Sequence, residues 1–319
     1  QQDEKDRFRN RFAYTRFSFM MNSKENNSGK VKNVTRFFLS DLNEFSENQI
    51  HLSSIINKRI HNLPFAFSLT FDDYLNYNNP DSKFREKDVK LFAFSSSMLI
   101  KKYGIDFNVA IDFDFVSEPN LFQFFPEIKM TKEIVKDIIL INGGLRHIKD
   151  RYTLRSLSSE NVYIHSFGMN QSIFGSQEIY QHYQQLRFSD RNELYFSIRN
   201  VLSERGVFEG TLSYADIQNF AHYIKVINPV YSRFNVDYIN VRELHLKTDY
   251  TNKINNILSL KINLDYYNWD QQVYHKPNFI CSISAPLTLR NKIKVTSSLV
   301  YSSKRNSVQY FFDDLPTLY

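Results

Sequence analysis

Residues 105–115 read IDFNVAIDFDF. In an extended chain successive side chains point to opposite faces, so Ile105, Phe107, Val109, Ile111, Phe113 and Phe115 fall on one side and Asp106, Asn108, Ala110, Asp112 and Asp114 on the other. One wall is wholly apolar and the wall behind it carries carboxylates. At roughly 3.4 Å per residue such a strand runs about 37 Å, and tilted by about 45° it spans about 26 Å, the height of the apolar band on a membrane barrel. Ordinary globular strands average about five or six residues, so a chain that repeats this pattern asks for a solvent thicker than a domain core.

The pattern recurs. Residues 64–77 set Phe65, Phe67, Leu69 and Phe71 against Ala66, Ser68, Thr70 and Asp72, and residues 256–266 set Leu258, Leu260, Ile262, Leu264 and Tyr266 against Ser259, Lys261, Asn263 and Asp265. Lys261 and Asp265 are then expected to face water or each other. Ile293, Val295, Leu299 and Tyr301 share a face of 293–301, and further candidate strands are 8–21, 31–42, 49–57, 91–100, 125–133, 138–147, 178–187, 193–202, 207–217, 219–225, 233–239, 243–250 and 278–285. The tally is about seventeen, with the weakest alternation over 207–240 and an unfinished tail after Arg305; bacterial barrels of one chain generally carry an even number, so closing strands are expected beyond the C-terminus. Links alternate in length. Residues 58–63, 101–104, 135–137 and 189–192 are short, whereas 78–88, 117–124 and above all 148–176 are long, with 22–30 breaking the rule. Short turns on one rim and long loops on the other is the asymmetry of an outer-membrane barrel.

The 319 residues suffice for one large barrel or two ordinary domains. Mean hydropathy is −0.44 and there is no run of about 18 apolar residues, which excludes helical membrane spans and leaves strands as the only means of crossing. A lone cysteine, Cys281, forbids an internal disulfide and reads as a small apolar filler. Net charge is +6, yet the basic residues sit at strand ends and turns, as in Lys58 and Arg59, Lys101 and Lys102, or Lys304 and Arg305. That distribution excludes a nucleic-acid groove and suits solvated turns, or contact with the phosphates of outer-membrane lipid and lipopolysaccharide. Aromatic clusters at Phe122, Phe124 and Phe125, at Tyr266, Tyr267 and Trp269, and at Tyr310, Phe311 and Phe312 fit the head-group level. Eight glycines are few for a barrel.

No HExxH, paired CxxC, GxSxG or phosphate-cradling glycine loop is present, and the histidines have no metal-ligand spacing. No catalytic residue, metal site or cofactor is expected. Gly143 and Gly144 read as relief for a bend or for close packing. Asp106, Asp112 and Asp114 could hold a cation or tune pore selectivity; pairing with Lys or Arg inside a polar lumen is the favoured reading, because an unpaired charge in a confined space is costly.

Residues 125–164, FPEIKMTKEIVKDIILINGGLRHIKDRYTLRSLSSENVYI, resemble the plugless, TonB-dependent-receptor-like outer-membrane barrels of Gram-negative bacteria, in which a strand pair ending in Gly-Gly feeds a long loop of YxxRSLxxENxxI character. HKPNF at 275–279 resembles the opening of a late strand, and DDLPTLY at 313–319 the lead into the closing strands. The resemblance implies a receptor- or porin-like, multi-pass barrel in the cell outer membrane, as one barrel domain over 1–319. It assigns no residue a role, and neither a TonB box nor a plug domain is recognisable.

The fold class expected is all-β, a large antiparallel transmembrane barrel of about 16–18 strands. As a function, a passive channel, receptor or scaffold for a surface complex with an outer-membrane or periplasmic protein partner is favoured, and not an enzyme. The long loop is its best contact site, with Arg151, Arg155, Glu160 and Asn161 as candidates. A secreted double sandwich shares the same periodicity, and strand length and loop parity weigh against it. A barrel enzyme is the third class. Lipid-facing candidates are Ile105, Phe107, Val109, Ile111, Phe113, Leu258, Leu260, Ile262 and Leu264; lumen-facing candidates are Asp106, Asp112, Asp114, Lys261 and Asp265.

Overall fold

The computed structural model describes residues 13–23, 31–43, 47–61, 63–76, 88–117, 120–161, 163–164, 186–227, 232–289 and 293–311. Fourteen of its strands form one antiparallel meander in chain order: β1 (Ala13–Asn22), β2 (Lys32–Asn43), β3 (Glu47–Ile60), β4 (Leu63–Asn76), β5 (Val89–Lys102), β6 (Ile105–Ser117), β7 (Asn120–Val135), β8 (Ile139–Arg151), β9 (Phe188–Ser203), β10 (Gly206–Ile227), β11 (Ser232–Lys253), β12 (Ser259–Trp269), β13 (Phe279–Leu289) and β14 (Ile293–Ser302). A three-residue β15 (Gln309–Phe311) runs parallel to the end of β10, and one helix, α1 (Leu154–Glu160), follows β8. β1 and β14 do not pair with each other among the described residues.

The expected tally of about seventeen exceeds this for identifiable reasons. Residues 207–217 and 219–225 are one strand, β10, and 233–239 and 243–250 are one strand, β11. The expected strand at 178–187 lies outside the described residues, apart from its last two positions, which are not strand, and so do DDLPTLY and Phe312. Loop parity holds in part. The links between β3 and β4, β5 and β6, β7 and β8, and β9 and β10 are tight, whereas 77–88, 152–187 and 270–278, which join strand ends of the other rim, are longer. The expected long link 117–124 is corrected: only 118–119 separate β6 from β7, because Leu121, Phe122 and Phe124 continue the period of two against Val116, Phe115 and Phe113.

That period builds a continuous apolar surface on one side of the sheet. Phe19, Phe37, Leu52, Phe71, Phe92, Phe115 and Phe122 are successive cross-strand partners from β1 to β7. Val109, Ile128, Leu145, Leu194, Tyr214 and Leu244 continue the surface from β6 to β11, and Ile262, Ile283 and Leu299 carry it through β12 to β14. Cross-strand apolar pairs of this kind stabilise a ladder by about 0.2–1 kcal/mol each. Among the described residues no second sheet covers them: Val109, Ile111 and Phe115 remain 39%, 40% and 43% exposed, while Ala110, Asp114 and Val116 on the opposite face are buried. A double sandwich is therefore not formed.

The opposite face is the concave one. Side chains of β1 and β2 (Tyr14, Leu42) meet those of β10 and β11 (Ala221, Tyr223, Val236) in a single cluster around Leu157 of α1, so the sheet curls until distant strands share a core. The wall has one irregular joint. β7 and β8 pair only as far as Ile128 and Leu145, after which the β8–β9 ladder continues alone to Arg151 opposite Phe188. Beyond Leu145 it passes inside the β4–β7 wall: the His147 ring lies flat on Phe125 at 3.4 Å, Phe188 packs on Val89, Leu91 and Val116, and Arg151 lies over Tyr74. Gly144 sits at the point of departure. A Cβ there would overlap the Ile128 carbonyl oxygen and stand 3.0 Å from Lys129 Cα, so the close approach anticipated for the glycine pair is met by Gly144.

Candidate functional site

Three layers of side chains occupy the concave side. The first is the strand lining. Arg146 Nε donates to Glu193 Oε2 at 2.7 Å, Arg191 Nη2 donates to Glu243 Oε1 at 2.7 Å, and Trp269 Nε1 donates to Glu243 Oε2 at 2.9 Å. Trp269 stacks on Tyr267 and Tyr267 on His245, whose Nε2 meets Asp265 Oδ1 at 2.9 Å. On the far side of the sheet Gln49 and His51 converge on the buried carboxylate of Asp72. A charge-paired lining of this kind satisfies carboxylates that a confined space would otherwise penalise. Glu243→Ala is expected to cost about 1–3 kcal/mol, since it leaves Trp269 Nε1 without its acceptor and Arg191 with Glu193 at 3.5 Å in place of its 2.7 Å bond; the midpoint of urea unfolding reads it.

A second layer is the ion cluster that pins the detached ladder. Lys149 Nζ lies 2.8 Å from Asp190 Oδ1, and His147 Nε2 lies 3.7 Å from the same oxygen and 4.0 Å from Asp114 Oδ2. Lys149, His147, Asp114 and Asp190 are all nearly buried; Lys149 and Asp190 are cross-strand partners within the ladder, and His147 facing Asp114 of β6 is the contact of the cluster that crosses to the wall.

The third layer is the long connection itself, which turns inward. Thr153 caps α1 in a reciprocal box with Ser156, and Leu157 is fully buried. Tyr152 Oη accepts from Ala221 N, and Tyr223 Oη donates to Glu160 Oε2 at 2.8 Å. Lys276 Nζ lies 2.5 Å from Glu160 Oε1 and over the Phe220 ring, and Arg155 lies over Tyr14 at 3.5 Å while its N–H points to Glu47 Oε1. Residues 270–278 add to this, with Val273 packed on Ala215, Ile217 and Val241. α1 thus ties β1–β3 to β10–β11 across the interior.

His275 anchors the segment after β14. Its N–H donates to Asn306 O, its Nε2 meets Ser307 Oγ, and its ring packs edge-on to Phe234. Burial, then Arg305, Lys225 and His222, lowers its pKa, so the unfolded form takes up protons first as pH falls. The contribution is complete above about pH 6.5 and lost on acidification below it. Exchange of the His275 amide, corrected for intrinsic rate, is expected to accelerate between pH 7.5 and 5.5.

No family model and no curated protein matches the sequence. Solved structures do match in fold. The siderophore receptor PirA from Pseudomonas aeruginosa aligns with TM-score 0.55 and 12% identity over 91% of this chain and 56% of its own. The FrpB iron transporter from Neisseria meningitidis gives 0.56 and 6% over 93% and 52%, and the ferric-catecholate import receptor Fiu from E. coli gives 0.52 and 10% over 92% and 53%. The fold is that of the β-barrels of these outer-membrane proteins. The chain spans about half the length of these receptors.

Within this barrel the expected site residues fall as follows. Asp112, Asp114 and Asp265 line the concave face; Asp106 does so near the tight rim, 2.8 Å from Lys101. Lys261 is exposed, and the Asp265 carboxylate meets His245. Val109 and Ile111 are exposed on the outer face; Ile105, Phe107, Phe113, Leu260, Ile262 and Leu264 share that face and are half-covered by neighbours such as Phe94 and Phe124 on Phe113. Leu258 precedes β12 and bridges to Leu287. The four loop candidates differ most. Arg151 belongs to β8 and is buried over Tyr74, Arg155 and Glu160 hold α1 in the interior, and Asn161 caps it, its side chain accepting from Tyr163 N. They face inward because Leu157 and Ile164 on the same connection are apolar and bury there. The loop reading had not anticipated α1 or its partners Tyr223 and Lys276; the apolar pair inside an otherwise polar stretch was the available signal.

No helix among the described residues is long and apolar enough to cross a membrane, and none of them form a cluster of three metal-binding side chains.

Proposed function

We propose that the chain is the barrel domain of an integral outer-membrane protein of receptor type, in which α1 closes the long-loop end of the bore and passage requires its displacement. One observation carries this: α1 is fastened on opposite walls, by Arg155 and Leu157 towards β1–β3 and by Glu160 towards Tyr223 and Lys276. The outward residues Val109, Ile111, Ile262 and Leu264 then face lipid, and the basic residues of the turns meet lipid or lipopolysaccharide phosphates. A receptor role or a scaffold for a surface complex is favoured over a freely open pore. The ligands named for the similar structures, siderophores and iron, set a class to test first, as does a polar solute small enough for the charged and aromatic lining around Glu243, Tyr267 and Trp269.

The test is detergent extraction from outer membranes, reconstitution into planar bilayers and single-channel recording. The chain is expected to insert and to conduct far less than an open barrel of its strand number. A chain found in the soluble fraction, or a large steady conductance, would overturn the reading.

A further inference from the structure

We propose that the joint between β7 and β8 is a lateral portal that admits a zwitterionic phospholipid-like amphiphile from the bilayer into the bore. This rests on the membrane-barrel reading above. The residues 120–127 of β7 pair with β6 alone, so above Leu145 this edge of the wall has no strand beside it among the described residues. Two residues make the gap. The Ile128 carbonyl lies against Gly144, so the main-chain groups of Ile128 face β8, and by the period of two those of Pro126 face the same edge. Proline has no N–H to offer there, and the ladder stops. Gly144 then lets β8 turn inward over β7.

The chemistry of the gap is divided between its two sides. On the outer side stand Phe122, 65% exposed, Phe124, 52%, Pro126, and across the joint Leu145, 51%. On the inner side lie Phe125 and Glu127 of β7, with Glu127 Oε1 accepting from His147 N, and behind them the Asp114, His147, Lys149 and Asp190 cluster. Aromatic and aliphatic walls outside suit an acyl chain, and carboxylates beside a lysine and a histidine inside suit a headgroup that carries both signs. A polypeptide strand is the poorer occupant, because an added strand needs the donor that Pro126 lacks. The His147 ring on Phe125 closes the inner side, and the contacts His147 makes across the joint, its N–H to Glu127 and its Nε2 4.0 Å from Asp114 Oδ2, are the latch that must give for the headgroup to pass.

The experiment is photolabelling of the whole chain in phosphatidylethanolamine and phosphatidylglycerol liposomes with two lysophosphatidylcholines, one carrying a diazirine at its headgroup, which reads the inner residues, and one in its acyl chain, which reads the outer wall and the belt, mapped by peptide mass spectrometry. Phe125, Glu127 and His147 are expected to be labelled about tenfold above Ser213 and Tyr267, which line the bore away from the joint; tenfold corresponds to about 1.4 kcal/mol of preference. Pro126→Thr restores the donor and is expected to reduce that labelling. Label on Phe122, Phe124 and the belt residues Leu212 and Leu244, with Phe125, Glu127 and His147 no higher than Ser213, overturns the portal and leaves the barrel standing. Labelling at the joint that is unmoved by Pro126→Thr overturns the role of the missing donor. Absence of label on the belt itself overturns the barrel reading instead.

Discussion

Gly144→Val is expected to stop the barrel from assembling. The two adjacent glycines differ in what a side chain would meet. At Gly143 a Cβ would stand 3.4 Å from Tyr195 O and 3.8 Å from Phe196 Cδ2, ordinary contact, so Gly143→Ala is expected to change stability by less than about 1 kcal/mol. At Gly144 the obstacle is the Ile128 carbonyl, which is backbone and cannot rotate away. Either β8 moves off β7 or the clash remains, and overpacking without a flexible neighbour costs about 3 kcal/mol or more. The joint is also where Ile128 and Leu145 begin the shared ladder, so the loss propagates into β7 and β8 together. Folded barrels resist denaturation by dodecyl sulfate until heated, and gel mobility before and after heating reads the folded fraction. Wild type and Gly143→Ala are expected to migrate as folded species and Gly144→Val as unfolded. Normal folding of Gly144→Val would mean that β8 does not approach β7 this closely.

Much of this architecture was legible in the sequence because a strand with lipid-like apolar contacts on one face and charge on the other carries its own label. Residues 105–115 and 65–72 alternate without interruption and emerge as the larger part of β6 and within β4. The reading failed where the interior stops being polar. In β10 and β11 the inward residues Ala215, Ile217 and Val241 are covered by Val273, so both faces are apolar and alternation disappears. A bulge between Ile217 and Phe220, with Asn219 at φ 54°, then shifts the period by one. Two long strands therefore read as four short ones.

The candidate site was legible as sequence but not as geometry. The stretches YxxRSLxxENxxI and HKPNF stood out from the strands around them, and they meet: Glu160 of the first and Lys276 of the second are in contact. Periodicity could not show this, since a link between antiparallel strands folds outward or inward with the same strand pattern on either side. What distinguishes the two outcomes is the placement of Leu157 and Ile164. An outward loop would leave both in water; folded inward they are fully buried beside Leu42, Ala221 and Val236.

Those contacts make Leu157→Asp the second large effect to expect. A carboxylate at this position would be buried among apolar side chains without a partner, which costs several kcal/mol and is relieved most simply by undocking α1. With seven residues the helix is too short to persist alone, so once released it loses its hold on Tyr223 and Lys276 together. The strand ladders do not depend on it: the β1–β14 pairings run without a contribution from α1. Dodecyl sulfate resistance is therefore expected to survive while single-channel conductance in planar bilayers rises severalfold over wild type. Tyr223→Phe removes the hydroxyl that donates to the Glu160 carboxylate, a bond worth about 1.5–3 kcal/mol, and that lies 3.3 Å from the Leu157 carbonyl, and is expected to give intermittent openings between those two levels. A Leu157→Asp chain that is folded yet conducts no more than wild type would show that α1 is not what closes the bore.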